Sequence, residues 1–215
     1  MSSTDRITTD DVVAWIQLAA EVFHGEKEHL TALDSAIGDA DHGINMDRGF
    51  QAVLAKLPTF AQDDVGAILK GTGMTLISTV GGASGPLYGS FFLQLGTATA
   101  GKADISVEDF AAALDNGVAR VQGLGKAEPG DKTMLEALLP AQVAIHKAAD
   151  AGDSPSEALA AGAAAAEEGM LATIPLVARK GRASYLGDRS AGHQDPGATS
   201  THLLLKAAAD AWSRA

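Results

Sequence analysis

The sequence contains no cysteine among its 215 residues, which excludes disulfides, thiolate metal sites and a cysteine nucleophile. Aromatic side chains make up only 5%, too few for a β-sandwich, which draws on aromatic and β-branched residues. Basic residues are scarce as well: 16 Lys and Arg stand against 27 Asp and Glu, for a formal net charge of −11. Such a surface repels phosphate backbones and anionic lipid, so neither nucleic acid nor a membrane is expected as a partner. No apolar run nears the ~20 residues that span a bilayer. The polar opening, MSSTDRITTDD, holds no apolar core of a signal peptide. The missing cysteine and leader fit a cytoplasmic protein. What the chain does have is 46% hydrophobic residues, mostly Ala, Leu, Val and Gly, a composition suited to closely packed helices around a substantial core.

Periodicity and end signals predict about eight helices and no strand. A first helix is expected from an N-cap at Thr9 or Asp10, with Val12, Trp15, Ile16, Ala19, Phe23, Leu30 and Leu33 as its stripe and a bend at Gly25. A second is expected from about Gly43 to Leu57, before Pro58. Asp64 can cap a third that ends before Gly81 and Gly82, and a fourth follows Pro86. Ser106 and Asp109 resemble a capping pair for a fifth, carried on by Phe110, Leu114, Val118 and Val121. A sixth is expected from about Asp131 to Ala149. Ser154-Pro155-Ser156-Glu157 combines a capping box with proline in the first turn and starts a seventh, reaching about Ile174 before Pro175. The last is expected over Thr199 to Trp212. With no long linker and no fixed-period repeat, residues 1–215 read as one all-α domain whose glycine-rich joints are the candidate functional loops.

The densest chemistry lies between the first two helices, in Leu33-Asp34-Ser35-Ala36-Ile37-Gly38-Asp39-Ala40-Asp41-His42-Gly43-Ile44-Asn45. Asp34, Asp39 and Asp41 can converge if the joint is extended, and three such carboxylates repel one another unless cations sit between them. Hard cations fit best: Mg²⁺ prefers oxygen ligands and commonly bridges carboxylates to phosphates. His42 and Gly43 then open a helix whose free N–H groups favour phosphate. Ordinary capping and turn chemistry accounts for the same residues equally well on spacing alone, and the pattern is not that of an EF-hand.

Val80-Gly81-Gly82-Ala83-Ser84-Gly85-Pro86 could cradle phosphate with successive N–H groups, or could simply be a tight helix connection. It lacks the Lys-Ser or Lys-Thr of a P-loop and the preceding strand of a dinucleotide fold. Further along, Asp195 can cap the last helix with Pro196 in its first turn. Arg179, Lys180 and Arg182 form the most basic cluster, able to hold phosphate or to serve as a solvated helix end. Met134 and Leu135, after the polar loop from Gly125 to Thr133, offer either an apolar wall for a purine or core packing. No catalytic triad pattern, Gly-x-Ser-x-Gly elbow or HExxH motif is present.

Four segments in order, LDSAIGDADHGINMDRGF, GGASGPLYGSFF, GKAEPGDKTMLEAL and YLGDRSAGHQDPGATS, resemble the L subunit of dihydroxyacetone kinases, and the likeness spans nearly the whole chain. The resemblance implies an all-α, single-domain antiparallel eight-helix barrel. It implies two Mg²⁺ ions on Asp34, Asp39 and Asp41. It places ADP or ATP against His42, Gly43, Ile44, Asn45, Ala83, Ser84, Gly125, Met134, Arg182, Asp195, Pro196 and Gly197. It also implies two protein partners: a K-type subunit that holds dihydroxyacetone, and a phosphohistidine protein of the phosphotransferase system that rephosphorylates bound ADP. The rival readings are a subunit serving another keto-sugar such as erythrulose, a nucleotide-loaded regulatory module, and a Mg²⁺-dependent phosphohydrolase that turns over substrate without a partner; a homodimer is compatible with the first reading. Phosphoryl transfer of this kind asks the protein for positioning and charge neutralisation rather than covalent chemistry.

Overall fold

The computed structural model of the chain describes residues 6–60 and 64–213; the first five residues of the polar opening lie outside this range. Among the described residues there are nine α-helices: α1 (Thr9–Gly25), α2 (Lys27–Ile37), α3 (His42–Lys56), α4 (Val65–Thr79), α5 (Ser84–Ala98), α6 (Val107–Gly125), α7 (Leu135–Ala151), α8 (Pro155–Ala172) and α9 (Pro196–Trp212). Short 3-10 segments cover Leu57–Thr59 and Arg182–Ser190.

The local end signals act as read. Ser106 and Ser154 form capping boxes with Asp109 and Glu157, Asp64 caps α4, and Asp195 caps α9 through the Ala198 N–H at 2.7 Å. Several boundaries differ from expectation. The cap of α1 is Thr8, in a box with Asp11, because Thr8 is extended and so leaves its hydroxyl free to turn onto the first helical turn. The long first helix divides at Glu26, whose φ of −92° and ψ of 4° leave the helical range; this break makes nine helices rather than eight. The α7 helix starts at Leu135, since Lys132 at φ 63° cannot be helical. The α8 helix stops at Ala172, two residues short of expectation, and α9 starts at Pro196, three residues early.

The expectation of no strand is corrected by a two-stranded antiparallel pair, β1 (Ile7–Thr8) and β2 (Asp104–Ile105), with Ile7 opposite Ile105. Each strand runs straight into a boxed helix start, so the pair sets the N-termini of α1 and α6 side by side. Strands of two residues leave no alternation to read in the sequence.

Helix neighbours follow chain order from α3 to α9, and α1 closes the series by packing on both α3 and α9. The α2 helix lies outside this series, against α3, α9 and the Arg182–Ser190 segment. The few aromatic residues are concentrated where the series closes. Trp15 is fully buried, 5.5 Å from Phe92 and 6.0 Å from Trp212 between ring centroids. Its indole N–H donates to Leu204 O at 2.9 Å, and the indole of Trp212 donates to Asp11 O at 3.0 Å. The two indoles thus bind α1 and α9 both by packing and by hydrogen bonds. Trp15→Phe is expected to lower unfolding stability by about 2 kcal/mol, through a cavity and the loss of the indole hydrogen bond; urea denaturation of both proteins checks this.

Candidate functional site

The α2–α3 joint turns sharply enough to bring its carboxylates together. Asp34, in the last turn of α2, accepts the backbone N–H groups of Asp41 at 2.9 Å and His42 at 3.1 Å through one oxygen. This stitches the end of α2 to the start of α3 and leaves the second oxygen beside Gly38, where a Cβ would sit 2.0 Å from it. Only glycine permits that approach. Ala40 takes a left-handed φ of 61°, so Asp39 and Asp41 swing to the same side. As a result Asp34, Asp39 and Asp41 each offer an oxygen within 4.8 Å of the others, the first carboxylate buried and the other two exposed. Arg182 reaches Asp39 at 3.0 Å. The donor set is oxygen only and open to solvent on one side, which fits a hard divalent cation that keeps some of its water.

These carboxylates border a cavity of about 460 Å³. Its polar side is formed by the start of α5, where Gly82 at φ 63° turns the chain into Ala83 and Ser84 and the first-turn N–H groups have no helical partner. Its apolar side is formed by Ile37, Leu87, Val121, Ala127, Met134 and Leu135. Across from α5, the cap of α9 contributes Asp195, Pro196 and Gly197, and the loop before α7 contributes Lys132 and Thr133.

Of the residues expected to meet nucleotide, His42, Ala83, Ser84, Gly125, Met134, Arg182, Asp195, Pro196 and Gly197 line this one cavity. Gly43, Ile44 and Asn45 do not, because the helical turn of α3 carries them off its wall. Gly43 backs onto Lys27 and Thr31 of α2, Ile44 faces a shallow groove with Thr31 and Ser35, and buried Asn45 accepts from Arg48 at 2.7 Å.

The His42 ring joins two walls, hydrogen-bonded to Ser84 Oγ on α5 at 3.1 Å and Ser200 Oγ on α9 at 2.9 Å. Burial pulls the imidazole below its ordinary value, against the raising influence of Asp34 and Asp41. Behind it, buried Tyr88 meets Ser200 Oγ at 2.7 Å, Thr201 Oγ1 at 2.8 Å and Gly197 O at 3.0 Å. Burial also holds the phenol well above its ordinary value, so it serves as a neutral hydrogen-bonding post. Sequence reasoning missed Tyr88, Ser200, Lys132 and Thr133. For Thr133 a signal was present: it stands three residues before Glu136, whose carboxylate accepts its N–H at 2.6 Å. The others bond across 44 to 158 positions of chain, beyond any local pattern.

A model of the DAK2 domain matches residues 36–210, and the chain belongs to that family. It is 46% identical over 200 residues to "PEP-dependent dihydroxyacetone kinase, ADP-binding subunit DhaL" of Escherichia coli (strain K12), covering 93% of this chain and 95% of that one. It is also 46% identical over 182 residues to the corresponding ADP-binding subunit of kinase 2 from Listeria innocua, covering 84% of each. Among solved structures, the dihydroxyacetone kinase from C. freundii in complex with AMP-PNP and Mg²⁺ superposes with a TM-score of 0.70 at 26% identity. That match covers 93% of this chain and 33% of the C. freundii chain, so the present chain spans about one third of that enzyme. No helix among the described residues is long and apolar enough to cross a membrane.

Burial raises the Asp195 carboxyl from its ordinary 3.8 to about 7, and Glu136 adds to the shift against the lowering N–H bonds of Ala198 and Gly197. A proton held more tightly in the folded state favours folding at low pH. That contribution is complete below about pH 4 and is lost as pH rises to about 7. Asp195→Asn, which keeps a capping oxygen, is therefore expected to gain stability relative to wild type as pH rises across this window, by up to about 4 kcal/mol. Paired denaturation curves at pH 4 and pH 8 measure the difference.

Proposed function

We propose that this chain is the ADP-binding subunit of a phosphoenolpyruvate-dependent dihydroxyacetone kinase, carrying a phosphoryl group on bound nucleotide to dihydroxyacetone held by a separate K-type subunit. The observation that carries this reading is the convergence of Asp34, Asp39 and Asp41 within 4.8 Å at the edge of a nucleotide-sized cavity that also holds the free N-terminus of α5. The near full-length identity to subunits named for that role supports it.

In this reading Asp34, Asp39 and Asp41 hold two Mg²⁺ ions, which would neutralise phosphate charge and polarise the transferring group. The protein's own part is positioning. Asp34 is fixed before ligand arrives by two backbone N–H groups, so little ordering is needed on binding. Ala83 and Ser84 present the start of α5 to phosphate, favoured there by unpaired N–H groups and the helix dipole. The His42 ring, held between Ser84 and Ser200, steadies that wall. Arg182 brings a guanidinium to the same edge, where it can share its charge between Asp39 and a phosphate. Met134 and Leu135 supply an apolar wall for the base, with Gly125 beside them. Asp195, Pro196 and Gly197 border the sugar.

Such a reaction is made of positioning and charge neutralisation rather than covalent chemistry on the protein. ADP stays on the subunit and is rephosphorylated by a phosphohistidine protein of the phosphotransferase system, so the nucleotide acts as a cofactor. We also infer that α1 and α3 to α9, which neighbour one another in a closed series, form the antiparallel eight-helix barrel, with α2 as an outer brace.

Native mass spectrometry of the purified chain, with and without EDTA, tests the carrier reading. ADP and two Mg²⁺ leaving together on chelation is the expected result, with Asp41→Asn retaining ADP at least about tenfold more weakly. Nucleotide that stays bound after chelation would remove the aspartates from its binding, and a chain that binds none in excess ADP and Mg²⁺ would sink the reading.

A further inference from the structure

One buried charge has no part in the scheme above. Lys132 is 1% exposed, and its ammonium donates to the carbonyls of Leu176 at 3.0 Å, Ser190 at 2.8 Å and His193 at 2.6 Å. An ammonium has three N–H donors, so the cage uses all of them. The backbone is shaped to deliver this side chain inward: Lys132 sits at φ 63°, a conformation lysine rarely adopts. The Glu136 carboxylate holds the turn by accepting the N–H groups of Gly130, Lys132 and Thr133.

The three carbonyls lie at the two ends of one strap, residues 176–193. Between those ends runs the 3-10 segment that carries Arg182 and Tyr185 to the cavity. Elsewhere the strap is supported by Ala183 and Leu186 against Ile37, by the Arg179 N–H donating to Asp131 O at 3.0 Å and the Gly192 N–H donating to Ile174 O at 2.8 Å, and by the exposed Arg182–Asp39 pair. Ser190 closes the strap on itself, accepting the Ala178 N–H at 2.8 Å and donating to Gly187 O at 2.6 Å. Lys132 is thus where both ends meet the start of α7.

We propose that Lys132 is a positioning residue for nucleotide binding, its ammonium tying both ends of the 176–193 strap together so that Arg182 and Tyr185 are held over the cavity. This rests on the nucleotide reading given above. Without the ammonium, the carbonyls of Leu176, Ser190 and His193 lose this partner, and the tie between the two ends of the strap is loosened.

The absence of native cysteine makes a clean test available. Lys132→Cys introduces a single thiol, which is alkylated in denaturant with 2-bromoethylamine to rebuild an amine of lysine length, or with 2-bromoethanol to give a neutral hydroxyl of similar reach. After refolding, ADP affinity is measured with Mg²⁺, and amide exchange of the strap is measured without nucleotide. The amine adduct is expected to match wild type. The hydroxyl adduct, still helical by circular dichroism, is expected to bind ADP about ten- to a hundredfold more weakly, with faster exchange confined to the strap. Equal affinity and equal strap protection in the two adducts would overturn the proposal. Wild type that binds no ADP would defeat the nucleotide reading instead, and strap exchange would then decide alone whether Lys132 forms the tie. Should neither adduct refold, the ¹⁵N-lysine spectrum of wild type decides: a slowly exchanging ammonium signal at neutral pH supports the cage, and its absence rules it out.

Discussion

The carboxylate of Asp34 accepting two N–H groups from the start of α3 is the constraint on which the site depends. It does the work of a cap from outside the helix, satisfying donors that would otherwise be orphaned, and it joins two elements at a fixed angle. Three acidic groups near one another would repel and spread if their backbone were free. Here the backbone is held first, by Asp34, by the narrow space at Gly38 and by the left-handed turn at Ala40. Under the proposed function, a bound cation relieves that repulsion. A joint that must hold its carboxylates close without ligand has to be rigid for reasons other than the ligand.

The same economy appears on the opposite side of the cavity. The α9 cap, the His42 ring and the Tyr88 phenol form one connected hydrogen-bond system through Ser200 and Gly197. Its polar atoms are buried and all are partnered, the condition under which such a network rigidifies rather than weakens a core. The cavity therefore has one wall anchored on α5, one on α9 and one on the α2–α3 joint. Helices that are distant in sequence meet there because α1 and α9 are bound by the Trp15 and Trp212 contacts.

Charge is used locally in a chain whose overall sign is unfavourable for phosphate. A net charge of −11 would oppose nucleotide at long range, but screening limits that effect to roughly 8 Å at physiological salt. Under the proposed function, the determining groups within that distance are the helix start at Ala83 and Ser84, Arg182 on its strap, and cations held by the three aspartates.

Much of this was legible in the residues. The capping boxes at Ser106 and Ser154 and the Asp195 cap could be read directly, because donor and acceptor lie three residues apart and local backbone geometry decides them. The acidic joint was legible as a candidate site, and so were the glycine turn before α5 and the Asp-Pro-Gly start of α9, since each combines unusual backbone freedom with oxygen or N–H donors. Only the tertiary structure decided that these joints face one cavity, that Gly43, Ile44 and Asn45 turn off its wall, and that Ile7 pairs with Ile105. Lys132 and Tyr88 escaped notice for the same reason: their partners lie from 44 to 113 positions away. A lysine or tyrosine carries no local mark of whether it will be solvated or caged. Spacing in the sequence determines what neighbours along the chain can do for one another; which distant groups complete a buried hydrogen bond is determined by how the helices pack.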